Sequence, residues 1–107
     1  DRYSSFELWL RYAKPTLGSL TVDGGAERAL REAGASLLPV GISAVEGEFE
    51  PGDAVELHGA GGLIGKGICN YSAAELARVA GLKSEEVEAA IGRAPEAAVH
   101  RDYLALG

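Results

Sequence analysis

The stretch Gly59-Ala60-Gly61-Gly62-Leu63-Ile64-Gly65-Lys66-Gly67 comes nearest to a phosphate-handling motif. A P-loop needs G-x-x-x-x-G-K-[ST], so that backbone amides cradle phosphate and a hydroxyl holds magnesium. Here Ala60 stands at the first glycine position and Gly67 at the hydroxyl position. An acidic β pattern precedes the run and no helical pattern follows Gly65, so the dinucleotide fingerprint fails as well. The run reads as a hairpin turn. Cys69, His58 and His100 are the only residues suited to thiol or metal chemistry, and no two lie at a ligand spacing such as C-x₂-C. A Cys–His dyad would need the fold to bring its partners together, and no acidic orienter pattern accompanies them. Cys69 reads as a small buried residue. No catalytic or metal-binding residue is assigned.

Three charged groups remain. His100-Arg101-Asp102 can bind an anion, or form ion pairs that fix the last strand, and the second reading is preferred. Glu46, Glu48, Glu50, Asp53 and Glu56 lack metal-loop spacing and read as a solvated strand face. Arg28 and Arg31 lie three apart on a helix and, with Arg11 and Lys14, form the one basic patch. Glu27 and Glu32 stand at i, i+4 from Arg31 and Arg28, as for a surface of ion pairs.

The elements that position these residues follow from periodicity. Residues 1–17 form a connector, predicted helical, with Tyr3, Phe6 and Trp9 as an aromatic stripe and Pro15 as its stop. The stripe either packs on its own domain or contacts a neighbour, where it would support dimerisation. Leu20 to Val22 reads as a strand. Asp23 caps a helix to Ala33, with Ala26, Ala29, Leu30 and Ala33 on one buried face, and Gly34 closes it. Leu37 to Phe49 reads as β, with a change of phase that predicts a bulge near Ala44-Val45. Pro51-Gly52-Asp53 marks a turn, and strands over Ala54–His58 and Leu63–Tyr71 flank the glycine hairpin. Ser72 and Glu75 form a capping box for one helix, a second begins at Ser84, and Val99 to Leu106 is the last strand. Many short strands with glycine turns predict an α+β fold around a small β pseudo-barrel, with a helix after the first strand and two short helices before the last.

Composition bounds the function. The chain has 107 residues, 47% hydrophobic and 24% charged, which fits one domain. A lone cysteine rules out an internal disulfide. No apolar run is long enough to span a membrane, and no leader pattern is present, so a cytoplasmic protein is expected. Met is absent, as in a fragment of a longer product. The net charge is −6, and residues 41–107, with eleven acids and five bases, carry all of it. Such a surface repels RNA and DNA over most of its extent.

The stretch from Leu20 through Asp23-Gly-Gly-Ala to Gly34-Ala-Ser-Leu-Leu-Pro-Val-Gly-Ile42 resembles the signature of PUA domains. Val45–Asp53, Gly67–Ser72, Glu75–Gly81, Ser84–Gly92 and Val99–Asp102 resemble the PUA domain of bacterial glutamate 5-kinases in particular. The resemblance runs in order over residues 18 to 106, which makes 18–107 the PUA domain. It implies a non-catalytic accessory role, regulatory or in assembly, beside an amino-acid-kinase domain that phosphorylates glutamate with ATP and magnesium in proline biosynthesis. That domain is not in this chain, so no cofactor is expected here, and the implied partners are the kinase domain and a second subunit. The alternative it implies is RNA binding through Arg28, Arg31, Gly34, Ala35, Ser36 and Pro39. Membrane and DNA are not expected partners.

Overall fold

The computed structural model describes residues 8–10 and 14–107. Tyr3, Phe6 and Arg11 lie outside the described residues. Residues 8–10 are helical, and the chain then runs β1 (Thr16–Val22), α1 (Gly24–Ala33), a 3-10 turn (Pro39–Gly41), β2 (Ile42–Gly47), β3 (Ala54–Gly59), β4 (Gly62–Cys69), α2 (Ala73–Val79), α3 (Ser84–Ile91) and β5 (Val99–Leu106). The five strands form one sheet in the order β2-β1-β3-β4-β5. Only β1 and β3 run parallel, because α1, the 3-10 turn and β2 intervene between them. Leu37, just ahead of edge strand β2, bonds to the opposite edge strand: its N–H donates to Val99 O at 2.9 Å, and its carbonyl accepts from Ala98 N at 2.7 Å. The two edges are thereby tied at one end, which gives the sheet its pseudo-barrel form.

Successive strand residues face opposite ways, and β3 shows the consequence. Val55 and Leu57 join the main core with Leu20, Leu37, Tyr71, Leu76, Val87 and Val99, all at most 1% exposed. Ala54 faces the other side, where it packs with Leu10, Ala105 and Ile68 in a second, smaller cluster. The helical residues 8–10 thus anchor on the sheet's outer face through Leu10, while Trp9 stays 45% exposed.

Local signals set the helix ends. Asp23 Oδ1 accepts from Ala26 N at 2.7 Å, and Gly34 ends α1 at φ 61°, where a side chain would be strained. Ser72 Oγ accepts from Glu75 N at 3.0 Å while Glu75 Oε1 accepts from Ser72 N at 2.9 Å, completing the capping box.

Some expectations give way. The β run predicted over Leu37–Phe49 is interrupted by the 3-10 turn, because Pro39 lacks an N–H for a ladder and its fixed φ suits a tight turn. The bulge expected near Ala44-Val45 is present and falls on the adjacent Ser43: Val22 pairs with Ile42 and Thr21 with Ala44, leaving Ser43 outside the ladder. Strand β4 ends at Cys69 rather than Tyr71. Of the four apolar residues of α1, only Leu30 is buried; Ala26 and Ala29 are half-buried and Ala33 is exposed.

Candidate functional site

The spare apolar surface of α1 marks the site. Its Ala26 and Ala29 form one wall of a groove of about 290 Å³, and Ala35, Ser36, Leu38 and Val40 form the other. Leu37 and Gly41 line it between the walls, and Asp23 stands at one end. The walls stand close because Gly41 has no side chain: a Cβ there would lie 2.6 Å from the Ala26 Cβ. Leu38 and Val40 remain 47% and 45% exposed, since the 3-10 turn points them outward while Pro39 faces inward. The Pro39 carbonyl accepts from Gly81 N at 2.7 Å, which fixes this turn to the loop between α2 and α3. From the other side, Ser36 Oγ accepts from Arg101 N at 2.8 Å. A rigid frame therefore holds an open apolar surface.

The residues singled out for binding divide. Ala35 and Ser36 line the groove, Gly34 turns the chain into it, and Pro39 supports it from within. Arg28 and Arg31 do not line it. With 3.6 residues per turn, Arg31 projects on the far side of Leu30 from Ala29. There Glu27, which lies against Gly59 of the β3–β4 turn, holds it in an ion pair of 3.0 Å. The matching Arg28–Glu32 pair is not formed among the described residues, where both side chains point into solvent. Lys14 does not join them; its Nζ sits 5.5 Å from the centre of the Trp9 ring.

The other candidates resolve as structure. The glycine run is a hairpin, with Gly59 paired to Gly62 and β4 where a P-loop needs a helix. Cys69 is fully buried in the core, and burial raises its thiol pKa from 9.0 to about 11. His58 lies 3.0 Å from Glu56, and His100 Nδ1 accepts from Asp102 N at 3.0 Å. The ion pairs expected of Arg101 and Asp102 are not what fixes β5. Asp102 lies beside His100, and Arg101 is held through its backbone N–H instead. The acidic strand face gathers no group of three metal-ligating side chains among the described residues.

One polar constellation gave no signal in the sequence. The Tyr71 ring, fully buried, carries the Arg93 guanidinium 4.5 Å from its centre. Arg93 donates to Asn70 O at 3.2 Å, Glu75 Oε1 at 3.3 Å and Glu96 Oε2 at 2.9 Å. The Tyr71 hydroxyl donates to Glu96 O and accepts from Glu96 N, both at 3.0 Å. Its partners come from three separate segments, so no spacing rule points to it. Every one of these bonds is internal, and the cluster locks the loop before β5 onto the start of α2.

Comparison with known proteins agrees with the fold. Residues 18–91 match the family model described as the PUA domain. The chain is 51% identical over 107 residues to a glutamate 5-kinase of Meiothermus ruber, covering 98% of this chain and 28% of that protein. It is 47% identical over 107 residues to a glutamate 5-kinase of Thermus thermophilus, covering 98% of this chain and 29% of the relative. Among solved structures, a PUA domain from Aeropyrum pernix K1, crystallised as a tartrate complex, superposes with a TM-score of 0.61 at 29% identity, over 78% of this chain and 41% of that one. The chain thus spans under a third of the length of the curated relatives it matches.

Proposed function

Because the chain belongs to the PUA-domain family, we propose that it is the non-catalytic accessory domain of a glutamate 5-kinase, acting by contact with protein. On this reading the parent phosphorylates glutamate with ATP and magnesium in the cytoplasm, in proline biosynthesis, and this domain contributes to assembly or regulation. The carrying observation is the groove itself: exposed Leu38 and Val40 face an alanine wall, with no basic residue in the lining among the described residues. Such a patch favours protein contact over a polyanion. The test is the full-length enzyme with and without residues 18–107. Deletion should change oligomeric state or feedback behaviour while glutamate phosphorylation stays measurable; an enzyme unchanged in both would sink the proposal.

RNA binding is the second reading, supported by the Gly34-Ala35-Ser36 turn that leads into the groove. Against it stand the net charge of −6 and the engagement of Arg31 by Glu27. A salt-sensitive titration with structured RNA, weakened by replacing Arg28 and Arg31 with Ala, would favour it.

A further inference from the structure

The electrostatics of the groove narrow what can fill it. Among the described residues, Asp23 is the one charged residue of its lining, and Ser36 offers the one other polar side chain. The Ser36 hydroxyl already accepts the Arg101 N–H. Asp23 lines the groove and uses Oδ1 for its helix cap, which leaves Oδ2 without a hydrogen-bond partner among the described residues. The open chemistry of the site is an apolar trough with the Asp23 carboxylate and, as its one neutral donor, the Ser36 O–H. A phosphate or carboxylate placed beside Asp23 would meet like charge, which disfavours it. A cation or N–H donor beside an apolar group would be complementary. The volume, about 290 Å³, lies at the lower limit of the roughly 300–1,000 Å³ of small-molecule pockets, and suits one large side chain.

We infer that the groove seats a protein segment in which a large apolar side chain is followed by lysine or arginine. The apolar group lies between Ala26, Ala29, Leu38 and Val40, and the cation meets Asp23 Oδ2. This rests on the protein-contact reading above and adds to it the chemistry of the partner.

The test uses two blocked dipeptides, N-acetyl-Trp-Lys-amide and N-acetyl-Trp-Glu-amide, titrated into the 107-residue chain while backbone amide shifts are followed by NMR. Both should move the amides of Ala26, Ala35, Leu38 and Val40, with the lysine peptide binding about fivefold tighter, as one exposed ion pair allows. Asp23→Asn keeps the helix cap, since asparagine caps as well as aspartate, and should abolish the preference. Equal binding of the two peptides, or a preference that survives Asp23→Asn, overturns the assignment of the cation but leaves the protein-contact reading standing. Groove shifts from an oligouridylate and from neither peptide would overturn both.

Discussion

Two regions of the molecule place side chains close together, and they do so to opposite ends. Around Tyr71, charged and polar groups converge: Arg93, Glu75, Glu96 and the Asn70 carbonyl meet within hydrogen-bond distance. Around the α1 groove, polar groups are sparse and apolar ones are left uncovered. By the usual search for an active site, the first region is the more attractive. Yet its groups bond mostly to one another, with Arg93 Nε alone buried without a partner among the described residues, and what remains is a clamp. The groove has unspent surface, and unspent surface is what a partner can bury. Convergence of charge marks a site only where bonding capacity is left over within a partner's reach, and Arg93 Nε lies buried.

This contrast can be broken from either side. The largest effect is expected from Tyr71→Ala, which removes a buried ring and both hydroxyl bonds to Glu96; denaturant unfolding should show a loss of about 4 kcal/mol, as for other buried aromatics. Arg93→Ala, whose side chain is part-exposed, should cost about 2 kcal/mol, most of it from unpaired partners. A neutral result for either would mean that the clamp is ornamental to stability. Asp23→Ala should cost about 1 kcal/mol through the lost cap, while Asp23→Asn should be near neutral.

On the groove side the expectation is reversed. Val40→Asp and Leu38→Asp should change stability by no more than about 0.5 kcal/mol, because both side chains are nearly half exposed. On the proposed reading as part of a glutamate 5-kinase, the same substitutions in the full-length protein should disturb assembly or regulation. If they unfold the domain instead, the groove is core and the contrast fails.

Cys69 supplies a finer test. Its folded thiol titrates near 11 against 9.0 unfolded, so its contribution to stability is intact below pH 9.0 and is lost as pH rises toward 11. Wild type should lose stability over that window more steeply than Cys69→Ala. The thiol should resist alkylation at neutral pH until the protein is unfolded.

The sequence by itself determined whatever rests on short-range bonds. The Asp23 cap, the Gly34 stop, the Ser72–Glu75 box and the Gly59–Gly62 turn each join residues within three positions or follow from one residue's backbone freedom, so spacing and residue type suffice. The Glu27–Arg31 pair, at i, i+4, is of the same kind. The Ala-Ser turn was singled out only through the family resemblance, and the groove it forms with Ala26 and Ala29 was not legible at all. A helical apolar stripe reads as buried unless one knows how much of it the core covers, and here only Leu30 is fully buried.

Tertiary structure alone decided the rest. Ser36 meets Arg101 across 65 positions, Arg93 meets Asn70 across 23, and Leu37 closes the barrel against Val99. Such contacts depend on where several elements finally rest against one another, and no periodicity within a single element records it. The side of α1 on which Arg31 ends, away from the groove, was fixed in the same way, by the packing of Leu30 into the core.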